Sequence, residues 1–140
     1  ALIETLIQRS RNYIYTTAIP SAIAAATLES LKIARTEEWR RDRLCELIKL
    51  FRAEAKEIGF RLSDSCAPIQ PLVVEDSTRA VFLSRMLEDH GCLCTAIRPP
   101  TVPKGTSRLR VTLTAAHDED DVHRLLKALR TSLKQKQQTK

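Results

Sequence analysis

The sequence predicts an α+β fold: a small, mostly antiparallel sheet with helices on one face, preceded by a long helix. Three observations carry that expectation. Residues 108–114 alternate strictly, with Leu109, Val111 and Leu113 on one face and Arg108, Arg110, Thr112 and Thr114 on the other. Residues 44–58 and 122–133 repeat apolar side chains at helical spacing. From residue 60 onward the strand and helix signals run β-β-α-β-β-α, an order that folds into one layer of sheet and one of helix.

Each element has a local reason. Residues 1–8 are short and apolar-periodic and read as the end of a helix continuing from preceding sequence. Residues 9–18 read as irregular, with tyrosines and threonines suited to a surface or cleft. Pro20 opens a helix running to about Ala34, since proline suits a first helical position. Its alanines, Ala24 to Ala26 among them, suggest close packing against another element. Thr36 is expected to cap the next helix, with Glu37 and Glu38 complementing the dipole. Leu44, Leu47, Ile48, Phe51, Ala55 and Ile58 form its apolar stripe, Trp39 serves packing, and Gly59 ends it. Short strands follow over 60–63 and 69–74. Pro71 inside the second marks an edge strand or a bulge. Asp76 or Ser77 caps a helix to about Glu88, and Gly91 stops it. Strands are expected over 92–97 and 108–114. The last helix follows His117, with Asp118 to Asp121 at its positive end and Val122, Leu125, Leu126, Leu129 and Leu133 as its buried stripe. The domain reading is a connecting segment with its helix over 1–35, an α+β domain over 36–135, and a disordered tail over 136–140.

Composition narrows the chemistry. The 140 residues with 43% hydrophobic content support a single globular domain with a modest core. A net charge of +6 and a pI near 9.4 admit an anionic partner without demonstrating one. The basic residues are dispersed, and aromatics make up only 4%, too few for base-stacking platforms, so nucleic acid ranks well below an anionic small molecule. Cys45, Cys66, Cys92 and Cys94 match no zinc framework or disulfide pattern, which fits a reducing compartment such as the cytoplasm. In a strand Cys92 and Cys94 would share a face as small apolar filler. No run is long enough to span a membrane, and no signal peptide is visible.

The loop over 98–107 is the chemical centre of the sequence. Pro99 and Pro100 stiffen its start, and Pro103 and Gly105 turn its end. Arg98 precedes it and Arg110 follows in mid-strand, where a planar guanidinium could hold a carboxylate or phosphate through two parallel bonds. On pattern alone the plainer reading, a solvated strand face with surface arginines, has the better claim, because most charged residues are simply exposed. His90 and His123 read as surface residues, and His117 as a helix-start residue. Lys104 sits in a turn, without the desolvated pocket that a catalytic lysine needs. No catalytic triad, metal set or phosphate-cradling glycine loop is visible. The residues by themselves describe an anion-gripping part of a site.

The run from Ala96 to His117 resembles the C-terminal part of the pyridoxal-phosphate (PLP)-dependent α-oxoamine synthases, and within them the 8-amino-7-oxononanoate synthases. The segments Asn12–Pro20 and Asp64–Val74, the latter with its Ile-Gln-Pro motif, extend the resemblance over nearly all of the chain. It implies the C-terminal domain of a fold-type I PLP enzyme, a cytoplasmic homodimeric acyltransferase. That enzyme condenses L-alanine with a pimeloyl thioester of CoA or acyl carrier protein, with decarboxylation, in biotin biosynthesis. Arg98 and Arg110 match the family's arginines around the amino-acid carboxylate, and Thr101 a threonine that contacts substrate. Thr16 and Thr17 match hydroxyl residues that reach the cofactor phosphate of the partner subunit. Ser21 stands where relatives commonly have a proline. The cofactor lysine and its histidine and aspartate neighbours are expected before Ala1. The isolated chain is therefore expected to hold no catalytic residue and no metal, to bind no PLP, to be inactive, and to self-associate through its alanine-rich helix. Three other readings stay open: a related synthase such as 2-amino-3-ketobutyrate CoA ligase, a non-enzymatic regulatory domain binding an anionic metabolite through Arg98 and Arg110, and, least favoured, a nucleic-acid-binding domain.

Overall fold

The computed structural model describes residues 1–138. The chain divides into two compact units, Ala1–Glu38 and Trp39–Lys140.

The first unit is helical: α1 (Leu2–Arg9), α2 (Arg11–Ile14) and α3 (Ser21–Thr36). Residues 9–18 are therefore less irregular than the sequence suggests, since the turn of α2 forms within them. Pro20 is the N-cap of α3 and accepts from the amides of Ile23 and Ala24. Thr36 does not cap the following helix. It is the last residue of α3, and its hydroxyl donates to the Lys32 carbonyl at 2.9 Å. Thr36 stands three residues before Trp39, the first residue of α4, so it is not in the N-cap place. None of the residues in these three helices is buried, and Ile23, Leu28 and Leu31 of α3 are exposed within the chain.

The second unit begins with α4 (Trp39–Glu57) and continues through β1 (Arg61–Leu62), β2 (Ile69–Glu75), α5 (Ser77–Asp89), β3 (Thr95–Ile97), β4 (Ser107–Thr112) and α6 (Glu119–Gln138). The four strands pair antiparallel throughout, in the order β1-β2-β4-β3. Leu109, Val111, Leu113, Leu72 and Val74 turn one sheet face towards Leu47 and Phe51 of α4, Leu83 and Leu87 of α5, and Leu126 and Leu129 of α6. That is the single core the alternating and helical patterns require. The tail expected over 136–140 differs in part, because α6 continues through Gln138; Thr139 and Lys140 lie outside the described residues.

Helix ends follow the expected chemistry. Gly59 and Gly91 stand at φ +94° and +77°, where a side chain would be strained. After α5 the Gly91 amide donates to the Glu88 carbonyl at 2.9 Å and the Cys92 amide to that of Leu87 at 2.8 Å, a Schellman closure. This closure shortens the third strand. Cys92 spends its N–H on the cap, so pairing starts at Thr95 and not at Cys92. Cys94 is nonetheless buried in the core and Cys92 half-buried against it, which places both among the apolar packing.

Pro71 lies in an inner strand, not at an outer edge. The Leu113 amide donates to the Pro68 carbonyl at 3.0 Å. Antiparallel alternation from there makes Gln70 and Val111 a hydrogen-bonded pair and Pro71 and Arg110 a non-bonded one. The missing proline N–H therefore faces away from β4. On its other side β1 covers only Leu72 and Val73, so Pro71 faces a strand that has already ended.

Candidate functional site

The sheet face opposite the helices carries Arg110, one of the residues singled out by sequence. Ladder register sets Arg110 of β4 between Pro71 of β2 and Thr95 of β3, and sets Arg108 between Val73 and Ile97. Arg110 is exposed, and its guanidinium makes no hydrogen bond or ion pair with the described residues. Arg108 differs: it is half-buried, and its Nε donates to the Thr106 carbonyl at 2.9 Å. An arginine held on a pleated strand, with its fork unspent and a proline ring beside its stem, is a ready acceptor-seeking group for a carboxylate.

Arg98 is placed differently. Strand alternation carries it to the other side of β3 from Ile97, and its side chain lines a hollow with Ser77, Thr78, Val81, Phe82 and Arg85 of α5. Arg110 does not line that hollow. The guanidinium of Arg98 is likewise without a partner among the described residues. The Arg98 carbonyl accepts from the Thr101 amide at 3.1 Å, closing the turn that contains the cis Pro99–Pro100 bond. Thr101 is exposed. Arg98 and Thr101 thus form one end of the loop, and Arg110 stands on the open sheet face.

Thr16 and Thr17 lie in the first unit. The Thr16 hydroxyl donates to the Asn12 carbonyl, whereas Thr17 is exposed and bonds to none of the described residues. A free hydroxyl and a free backbone amide are donors suited to a phosphate. The described lysines with placed side chains, Lys32, Lys49, Lys56, Lys104 and Lys127, are all exposed. None has the desolvated setting of a cofactor-anchoring amine. Among the described residues, then, Thr17 offers donors of the kind a phosphate takes, and no lysine with a placed side chain offers a buried amine.

The remaining candidates resolve into structural roles. His117 Nδ1 accepts from the Thr114 amide at 3.1 Å, the His90 Nδ1 lies 2.8 Å from the Met86 carbonyl, and His123 Nδ1 pairs with Glu54 at 3.2 Å. Burial pushes the Cys94 thiol up to about 11, with Cys92 beside it adding to the shift. Among the described residues no group of three or more His, Cys, Asp and Glu side chains could hold a metal, and no helix is long and apolar enough to cross a membrane.

Sequence reasoning missed one buried polar cluster. Gln70 is 0% exposed. Its Oε1 accepts from Arg52 Nη1 at 2.8 Å, and its Nε2 donates to the carbonyls of Ser65 at 3.0 Å and Ala67 at 2.7 Å. Arg52 Nη1 also donates to the carbonyls of Ser63 and Ser65, both at 2.9 Å. A glutamine flanked by apolar strand residues was the available signal, because a buried amide demands partners.

Comparison with known proteins places these features. Residues 1–129 match the family described as aminotransferase class I and II. The 8-amino-7-oxononanoate synthase of Nitrosococcus oceani is 61% identical over 129 residues, which are 92% of this chain and 34% of that protein. The enzyme of that name from Pseudomonas savastanoi pv. phaseolicola is 59% identical over 128 residues, 91% of this chain and 32% of that protein. The chain spans about a third of the length of these relatives. Among solved structures, 8-amino-7-oxononanoate synthase from Francisella tularensis superposes with a TM-score of 0.83 at 29% identity, covering 96% of this chain and 39% of that one. Serine palmitoyltransferase from S. paucimobilis, solved with PLP and myriocin bound, gives 0.86 at 27% identity over 94% of this chain and 34% of its own. On these matches and this architecture, the chain belongs to the aminotransferase class I and II family.

Proposed function

We propose that this chain forms the C-terminal part of an 8-amino-7-oxononanoate synthase. This acyltransferase would condense L-alanine with a pimeloyl thioester of CoA or acyl carrier protein, releasing carbon dioxide and the thiol carrier in biotin biosynthesis. The observation that carries the reading is identity near 60% to enzymes of that name over nine-tenths of the chain. A cytoplasmic homodimer that engages neither nucleic acid nor membrane completes the proposal.

In this reading PLP supplies the electron sink for the carbon acid chemistry. The chain's own residues bind and orient. Arg110 takes the L-alanine carboxylate bidentately, and its unspent fork on the open face supports that role. Arg98 and Thr101 act from the end of the adjoining loop, where Arg98 adds positive charge and Thr101 a hydroxyl donor. Thr17, with Thr16 beside it, donates to the cofactor phosphate, in the partner's site by family resemblance.

The test uses the full-length protein that carries this chain, purified with PLP and supplied with L-alanine and pimeloyl-CoA or pimeloyl-acyl carrier protein. Thiol release and carbon dioxide in equal amounts are expected. A PLP-loaded protein that accepts glycine or serine with another acyl thioester, and leaves L-alanine unreacted, would overturn the assignment.

A further inference from the structure

The Arg52–Gln70 cluster lies outside every role given above, yet it adjoins the substrate face. β1 pairs with β2 at Arg61 with Val73 and Leu62 with Leu72, and one more step of that register would set Ser63 opposite Pro71. Proline has no N–H to offer. The Ser63 carbonyl takes its hydrogen bond from Arg52 Nη1 at 2.9 Å instead. That same nitrogen holds Ser65 and the Gln70 amide, while Gln70 Nε2 holds Ser65 and Ala67. One guanidinium from α4 and one fully buried amide thus tie residues 63–67 to the first half of β2.

Pro71 is the next residue after Gln70 and sits directly across the ladder from Arg110. A non-hydrogen-bonded antiparallel pair brings its two side chains closest, so the proline ring and the Arg110 stem stand side by side on the open face. Pro71 has no ladder bond on its β1 side, and no N–H with which to make one. Its position is therefore set by its neighbours, chiefly by Gln70, whose backbone pairs with Val111 and whose side chain is bolted to the turn.

We infer that Arg52 and Gln70 are positioning residues for the carboxylate-binding Arg110, acting through Pro71. The inference rests on the proposed function. Neither residue touches substrate. They fix where the guanidinium fork stands on the open face, and a displacement of about an ångström is enough to weaken a two-bond grip on a carboxylate.

The experiment compares Gln70→Met, Arg52→Lys and Ala128→Gly with the parent in the full-length PLP-loaded protein. Gln70→Met keeps the volume and removes the amide. Arg52→Lys keeps the charge and loses the fork. Ala128→Gly loosens the buried face of α6, far from the cluster in the sequence, and serves as a stability-matched control. The expected result is a KM for L-alanine raised about tenfold in Gln70→Met, with kcat at saturating alanine and the KM for the thioester little changed. Arg52→Lys should fall between parent and Gln70→Met, and Ala128→Gly should lower the unfolding midpoint without moving KM. If Gln70→Met is destabilised with an unmoved KM, or if Ala128→Gly raises KM equally, the cluster is merely structural and the inference fails. The parent separates the two levels. Without condensation of L-alanine the proposed function falls, and this role with it; with condensation, the variants decide the positioning role alone.

Discussion

Replacing Arg52 with methionine should destabilise the second unit by an amount that the cluster's geometry sets. Methionine keeps the apolar stem and removes every donor. The Gln70 Oε1, on a residue with 0% exposure, then loses the Arg52 Nη1 bond of 2.8 Å and has no solvent to turn to. An orphaned buried acceptor costs about 1–3 kcal/mol. The Ser63 and Ser65 carbonyls lose bonds of 2.9 Å, but both residues are half-buried and can take water, so they add less. The expected total is about 2–4 kcal/mol, a large share of the ~5–15 kcal/mol that holds a domain together. With a urea slope near 2 kcal/mol per molar, the midpoint should fall by roughly 1–2 M. Adding Gln70→Leu removes the stranded amide, so the double variant should cost about 1–2 kcal/mol less than the sum of the singles. Urea unfolding followed by far-ultraviolet circular dichroism reads all four corners of this cycle. A single-variant cost below about 0.5 kcal/mol, or additivity within about 0.3 kcal/mol, would refute a cooperative buried cluster.

Three further outcomes follow from the site and its surroundings. Arg110→Ala in the full-length enzyme should raise the KM for L-alanine by about 10–100-fold, the loss of a charge-assisted pair of bonds, and steady-state kinetics at varied alanine would show it. Thr17→Val should weaken PLP retention about tenfold, measured by cofactor absorbance after dialysis, and unchanged retention would remove Thr17 from the phosphate site. For Cys94, burial raises the thiol pKa from 9.0 to about 11, so the folded state holds the proton more tightly than the unfolded one. Its contribution to stability is therefore complete below 9 and is lost as pH rises through about 11. Thiol titration near pH 8 should label the exposed Cys45 and Cys66 quickly and Cys94 only after unfolding.

What the sequence made legible was local and periodic. Leu109, Val111 and Leu113 alternate because one sheet face is buried, and that burial is what the structure contains. Asp76 caps α5 by accepting from the Arg79 amide at 2.7 Å, as its place before a helical pattern suggested. Gly59 and Gly91 end helices where positive φ is required. The misreadings had non-local or competing causes. Thr36 satisfies its own helix instead of the next one. The strand at Cys92 is shortened by a capping bond that no alternation pattern records. By sequence Pro71 marks an edge strand or a bulge; in the structure β2 is an inner strand whose β1 side is left open at Pro71, and its register shift lies further on, between Val73 and Glu75.

The residue types of the candidate site stand in the sequence, and their arrangement does not. Arg98 and Arg110 belong to one stretch, and spacing alone treats them as equivalent. Register separates them: Arg110 faces out beside Thr95, and Arg98 falls to the α5 side one step past Ile97. Arg52 escaped notice because an arginine on a mostly charged helix reads as surface, and only the Gln70 amide reveals what its guanidinium is for.

Charge distribution gives the open face its chemical bias. The acids of α4 and α6 are largely engaged with basic groups on the helical layer: Glu119 with Arg43 at 3.1 Å, Asp121 with Arg124 at 3.2 Å, and Glu54 with Arg130 at 3.4 Å and with His123. On β2, β4 and β3 the register sets Ile69, Pro71, Val73, Thr95, Ile97, Arg108, Arg110 and Thr112 on the open face, and Arg61 of β1, paired with Val73, joins them. Arg108 is turned back to the Thr106 carbonyl, whereas the Arg110 fork makes no bond with the described residues. Under the proposed function a carboxylate arriving at this face is taken by Arg110, which stands across the ladder from Pro71. In the proposed reading the helical layer then does more than close the core: it pairs Glu54, Glu119 and Asp121 with basic groups of its own and leaves Arg110 to take the anion.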